Sequence, residues 1–212
     1  MKSTINNLYA VILAGGRSRR FGGSDKAWLQ WQGQPLIQHV IVRLQPQVKN
    51  IVISANRNVD QYAQLGFPVI PDIIDQNLGP LMGIYSVMEY LNTLETEKNA
   101  HIQLLTIPCD MPQLPYDLVK QLQPEQSRDK IHAAHDGQRL QPLVSLIPLN
   151  LKSDLKRYLD ENNHKVDQWI IGTNPLIIDF ANQQDCFHNI NDQTEFDKLP
   201  NITPTNYRKL DE

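Results

Sequence analysis

The chain has 212 residues and a mass of 24.3 kDa, enough for one substantial α/β domain, and its 41% hydrophobic content shows no break that would require a second. A formal net charge of -3 without a basic face argues against nucleic-acid binding, and apolar runs of only strand length argue against a bilayer span. Cys109 and Cys186 lie far apart with no C-x-x-C partner, so neither a disulfide framework nor a zinc site is expected, and a polar Met1 to Asn7 lacks the apolar core of a secretory signal. A cytoplasmic monomer with reduced thiols is the expectation.

Tyr9 to Leu13 is a short apolar run ending at glycine and reads as a buried strand. It runs directly into Ala14-Gly-Gly-Arg-Ser-Arg-Arg-Phe-Gly-Gly-Ser-Asp-Lys26. Gly15, Gly16, Gly22 and Gly23 let the backbone approach a ligand closely and turn its N–H groups onto anionic oxygens, while Arg17, Arg19, Arg20 and Lys26 add positive charge interrupted only by Asp25. The loop suits a polyphosphate. It is not a Walker A loop, because five residues separate Gly16 from Gly22 and Ser-Asp-Lys follows Gly23, and it lacks the G-x-G-x-x-G dinucleotide fingerprint.

After Pro35, Leu36 or Ile37, Val40, Ile41 and Leu44 recur at helical spacing, which returns the chain to a parallel neighbour at Ile51 to Ile53. That strand ends in Ser54-Ala-Asn-Arg57, and Val69-Ile70 followed by Pro71-Asp72 repeats the pattern of an apolar strand with a polar carboxyl end. The turn from Asn77 to Gly83 precedes a helix marked by Ile84, Val87, Met88 and Leu91. Ile102 to Ile107 is the most hydrophobic strand and stops at Pro108-Cys-Asp-Met-Pro112. Such β-loop-α-β alternation implies a mostly parallel, Rossmann-like sheet flanked by helices, with ligands in the crevice beyond the carboxyl ends of its strands. Arg20, Lys26, Asp72 and Asp110 are then expected on one edge.

The second half is less regular. Ile131 to His135, Leu143 to Ile147 and Pro175 to Phe180 read as strands, and Leu151, Leu155, Tyr158 and Leu159 as a helical stripe whose charges between Asp154 and Glu161 face solvent. His135-Asp-Gly137 with Gln141-Pro142 resembles a hairpin turn and could also line an acceptor pocket. Phe187 to Asp192 precedes a short helix with Phe196 and Leu199, and the tail from Pro200 is expected to be loosely held. One domain is expected, with a nucleotide-binding half over about 1–112, an acceptor-binding half over about 113–200, and the tail at 200–212.

Asp110, held between Pro108 and Pro112, suits Mg²⁺, which is commonly bound by one or two carboxylates plus substrate phosphates; the alternative is a cap on a helix beginning near Pro115. Lys26 and Arg20 suit neutralisation of phosphoryl oxygens, or are solvated loop charge. Asp72 could accept hydrogen bonds from a base or a ribose, or simply start a turn. None of the six histidines forms a metal-spaced pair, and no Gly-x-Ser-x-Gly elbow supports a serine hydrolase. His39, Trp28, Trp31 and Trp169 read as packing or surface residues.

Leu13-Ala-Gly-Gly16 with Arg20, Phe21, Gly22 and Lys26, followed by Gly33-x-Pro35-Leu36, resembles the signature of nucleotidyltransferases that join an NTP-derived nucleotide to a phosphorylated acceptor. Ala55-Asn-Arg57, Pro71-Asp72, Gly79-Pro-Leu81 with Gly83, Pro108-Cys-Asp110 with Pro112, His135-Asp-Gly137 with Pro142, and Asn189-Ile-Asn191 extend the likeness over nearly the whole chain, and narrow it to the molybdenum cofactor guanylyltransferases. That resemblance implies Mg²⁺ and GTP, transfer of GMP to the terminal phosphate of molybdopterin, and loss of pyrophosphate. It implies that Leu13, Ala14, Gly15, Gly16 and Lys26 contact GTP, that Asp72 helps hold guanosine, that Asp110 binds Mg²⁺, and that Asn189 and Asn191 lie near the pterin. Ser54 stands where the family commonly has Asn. Transient contact with molybdenum-cofactor synthesis proteins or apo-molybdoenzymes is also implied. A relative using CTP or a sugar-phosphate acceptor would share the loop, although Ala14-Gly15-Gly16 differs from the Ala-Ala-Gly of cytidylyltransferases. A non-catalytic nucleotide or cofactor carrier would bind without releasing pyrophosphate.

Overall fold

The computed structural model describes residues 7–15, 25–74, 78–94, 102–123 and 128–190. Gly16, Arg20, Gly22, Asn191, the helix expected around Phe196 and the tail from Pro200 lie outside these residues.

The described strands are β1 (Leu8–Leu13), β2 (Gln30–Trp31), β3 (Gln34–Pro35), β4 (Asn50–Ser54), β5 (Val69–Ile70), β6 (Gln103–Pro108), β7 (His132–His135), β8 (Leu140–Pro148) and β9 (Leu176–Asp179). The described helices are α1 (Leu36–Leu44), α2 (Val59–Ala63), α3 (Pro80–Leu94), α4 (Leu118–Leu122), α5 (Lys152–Asp160) and α6 (Val166–Gly172). Seven strands form one sheet in the order β5-β4-β1-β6-β8-β7-β9. The fold is thus mixed α/β with a mostly parallel sheet, as expected: only β8 runs against its neighbours, while β5, β4, β1 and β6 are mutually parallel and β9 is parallel to β7.

Strand periodicity explains the two apolar layers. Ala10 and Ile12, Ile51 and Ile53, and Leu105 and Ile107 face one layer, which holds the apolar stripe of α1, Tyr62 of α2 and Leu118 and Leu122 of α4. The intervening Val11, Val52 and Leu104 face the other, built by α3, α5 and α6 with Met88, Leu91, Leu155 and Trp169. Trp31 and Trp169 are buried packing residues, and His39 packs on the Trp31 ring while its Nε2 pairs with the Trp31 carbonyl at 2.8 Å. Both cysteines are free, and burial pushes both thiols up, so neither is poised as a thiolate.

The hairpin expected after His135 joins β7 to β8. Its turn is fixed by Asp136, whose Oδ1 accepts the N–H groups of Gln138 and Arg139 at 2.8 Å each and whose Oδ2 accepts Gln141 Nε2 at 2.6 Å. Burial would push this carboxyl up, but the three donors outweigh it and hold the group below its ordinary value. Asp136 therefore stabilises the fold above the ordinary aspartate range, and that contribution fades as pH falls through the depressed native value. The Asp136→Ala variant should lose about 1–3 kcal/mol at neutral pH, read from the denaturant midpoint, with the deficit narrowing in acid.

Candidate active site

Three adjacent strands end abreast. Leu13 is in register with Ser54 on one side and Pro108 on the other, so Ala14-Gly15, Ala55-Asn56 and Cys109-Asp110 leave the sheet side by side. Backbone bonds extend the alignment past the strand ends: Ala14 N–H donates to Ser54 O at 2.8 Å, Cys109 N–H to Leu13 O at 3.2 Å, and Ala55 N–H to Ile70 O at 3.3 Å. Because the chain leaves β1 toward β4 on one flank and β6 occupies the other, this is the switch point at which open parallel sheets bind ligands. From β5 to β6 the edge spans three strand spacings, roughly 14 Å.

Lys26 returns to this edge on a 3-10 turn, Lys26–Trp28, and its Nζ forms an ion pair with Asp110 Oδ2. The two side chains are 17% and 15% exposed, so the pair is largely shielded from bulk solvent. Asp110 Oδ1 is buried without a hydrogen-bond partner among the described residues. The helix-cap alternative fails: α4 begins only at Leu118, with Asp117 at its cap position.

Asp25, read from sequence only as the acid interrupting the cationic loop, aims Lys26. Its Oδ1 accepts Ala27 N–H at 3.3 Å, and its Oδ2 accepts the Tyr62 hydroxyl at 2.8 Å and Asn58 Nδ2 at 3.1 Å. Burial first, and then neighbouring negative charge including Asp25, push the Tyr62 hydroxyl far up, so it remains a donor. The tilted stacking of Trp28 on Tyr62, 5.2 Å between ring centres, fixes the same turn. Neither Tyr62 nor Asn58 carries a sequence signal, since α2 is five residues long and only Tyr62 in it is buried.

On the other flank, Asp72 follows the two-residue β5. Its carboxylate Oδ2 accepts Asn56 Nδ2 and its N–H donates to Asn56 Oδ1, both at 2.7 Å. Gly83 of α3 lies against this group: a Cβ there would stand 2.5 Å from Ser54 Oγ and 3.5 Å from Asp72 Oδ1. A glycine inside a helix costs up to about 1 kcal/mol relative to alanine, and here it lets α3 approach the strand ends closely. Ser54 is 3% exposed, packed beneath Gly83. Asn189 sits near Asp110, because Ile190 N–H donates to the Asp110 carbonyl at 3.1 Å. Leu13, Ala14, Gly15, Lys26, Ser54, Asp72, Asp110 and Asn189 thus share one edge.

The chain matches the family model described as a MobA-like NTP transferase domain over residues 10–172. It is 42% identical over 184 residues to the molybdenum cofactor guanylyltransferase of Shewanella sediminis, an alignment covering 86% of this chain and 90% of that one. It is 41% identical to the molybdenum cofactor guanylyltransferase of Shewanella piezotolerans, again over 184 residues, with 86% of each chain covered. The fold is similar to that of molybdopterin-guanine dinucleotide biosynthesis protein A from Archaeoglobus fulgidus, with a TM-score of 0.71 and 17% identity over 90% of this chain and 96% of that chain. With three strand ends aligned at the switch point and matches across most of its length, the chain belongs to the MobA-like NTP transferase family of nucleotidyltransferases.

Proposed function

We propose that this protein transfers GMP from GTP to the terminal phosphate of molybdenum-loaded molybdopterin, forming the guanine dinucleotide cofactor and releasing pyrophosphate. The observation that carries the reading is the Lys26–Asp110 ion pair, which joins the phosphate loop after β1 to the acid at the end of β6. The strong identity to two molybdenum cofactor guanylyltransferases supports the choice of base and acceptor.

Asp110 fits a magnesium ion: one carboxylate, 15% exposed, with an oxygen lacking a hydrogen-bond partner among the described residues. No group of three or more His, Cys, Asp or Glu side chains sits together among those residues, so the other ligands would be substrate oxygens and water. When bound, Mg²⁺ supplies charge neutralisation on the triphosphate.

Leu13, Ala14, Gly15 and Gly16 offer backbone to the phosphates, and Asp72 accepts from the guanine N1–H and amino group. The acceptor phosphate is already anionic near neutral pH and needs no dedicated base. One of its oxygens bonds to the α-phosphorus of GTP in line as the bond to the β-phosphate oxygen breaks, and Lys26 and Arg20 hold the departing pyrophosphate. Asn189 and Asn191 flank the pterin, and Ser54 supports the base side from below Gly83. Delivery of the product to apo-molybdoenzymes completes the role.

Incubation with GTP, Mg²⁺ and molybdenum-loaded molybdopterin should yield the guanine dinucleotide with stoichiometric pyrophosphate. Preferential use of CTP would overturn the base assignment, and GTP binding without pyrophosphate release would point to a carrier.

A further inference from the structure

The base-side acid stands at a mechanically weak place. β5 has two residues, and among the described residues no strand ladder holds Pro71 to Ile74 beyond it. Two side chains from other elements replace that support. Ile73 N–H donates to Ser86 Oγ of α3 at 2.9 Å, and Ser86 in turn donates to Met82 O at 2.8 Å. Asp72 is gripped more fully, because Asn56 engages both its backbone N–H and its carboxylate at 2.7 Å. A backbone N–H needs an acceptor and a carboxylate needs a donor, so the Asn56 amide fits only one way round.

The same amide lies against the phosphate loop: a Cβ added at Gly15 would stand 3.7 Å from Asn56 Nδ2. Asn56 itself follows β4 by two residues, between the strands that deliver Gly15 and Asp72. Its amide is therefore shared between the two parts of the crevice.

We propose that Asn56 is a positioning residue for nucleotide selection: it fixes the Asp72 carboxylate in the orientation that reads the base and ties that carboxylate to the start of the phosphate loop. This deepens the guanylyl-transfer reading and rests on it. Removing the amide leaves Asp72 in place on the chain but able to turn, so contact with the base weakens while contact with the phosphates persists. Discrimination by a hydrogen-bonding site collapses when its buried polar groups lose their orientation.

The test is calorimetric titration of the full chain in Mg²⁺ with three probes: GTP, ITP, which lacks the 2-amino group, and inorganic tripolyphosphate. Asn56→Ala should bind GTP about tenfold or more weakly, in line with loss of a charged hydrogen bond, with the GTP-over-ITP preference falling toward unity and tripolyphosphate affinity within about twofold. Asn56→Asp is nearly isosteric, keeps the acceptor for Asp72 N–H, and places a carboxylate beside Asp72 Oδ2. It should lose GTP affinity at least as far, and it serves as the folded control should the alanine variant melt early. GTP affinity within twofold of the parent in folded Asn56→Asp overturns the inference, as does a parallel fall for GTP and tripolyphosphate. Absence of GTP binding by the parent protein overturns the functional reading itself, and this inference with it.

Discussion

On the guanylyl-transfer reading proposed above, Asp110→Asn should keep the fold and lose guanylyl transfer. The substitution preserves shape and one oxygen but removes the negative charge that pairs with Lys26 beyond the strand ends. Loss of one charged hydrogen bond should lower stability by no more than about 1–3 kcal/mol, visible as a modest shift in thermal melting with unchanged circular dichroism. Metal-assisted charge stabilisation is worth several kcal/mol, so kcat/KM should fall by about 100- to 10,000-fold. Initial rates of pyrophosphate release across a range of GTP concentrations, with acceptor saturating, decide the matter: a near-normal kcat/KM removes Asp110 from the mechanism.

Lys26→Met should cost about 100-fold in kcat/KM, the scale on which one preorganised donor to a developing phosphoryl charge acts. It differs from the Asp110 variant in one measurable respect. Lys26 pairs with Asp110 Oδ2 and so neutralises part of the charge that, on the proposed function, Oδ1 would offer to Mg²⁺. Without Lys26, half-maximal Mg²⁺ should therefore fall even as the rate drops; a raised Mg²⁺ requirement contradicts this neutralisation. The double variant should be less damaging than the product of the two single losses, because both remove the same ion pair.

Much of this site is legible in the sequence for a physical reason. Buried parallel strands are short continuous apolar runs, and Leu13, Ser54, Ile70 and Pro108 mark where each run gives way to polar residues at the shared edge. Once the β-loop-α-β alternation is recognised, the chemistry-bearing residues after those ends must lie together, as Lys26 and Asp110 do. The β7–β8 hairpin is legible through Asp136-Gly137, where Gly137 takes a φ of +92°.

What the sequence hides are features set by single contacts. The β2–β3 hairpin turns through Gln32 and Gly33, both with positive φ (50° and 78°), and glutamine at the first position lacks the asparagine or aspartate signal of such turns. α2 and α6 are too short for periodicity to emerge, with one and two buried residues respectively. Asp154, expected in solvent with the rest of its charged face, accepts the Trp169 indole N–H at 3.0 Å across the α5–α6 contact. The grip of Asn56 on Asp72 joins residues sixteen positions apart by a pairing that no local pattern encodes.

The backbone bond from Ile190 to the Asp110 carbonyl bears on where this protein can be cut. The stretch matched by the family model stops at residue 172, eighteen positions short of that donor. A fragment excised at the matched boundary would keep the glycine loop, Lys26 and both acids, yet it would lack β9, the buried Phe180 and Phe187, and the strut beneath Asp110. The recognisable module and the working enzyme therefore do not share a border.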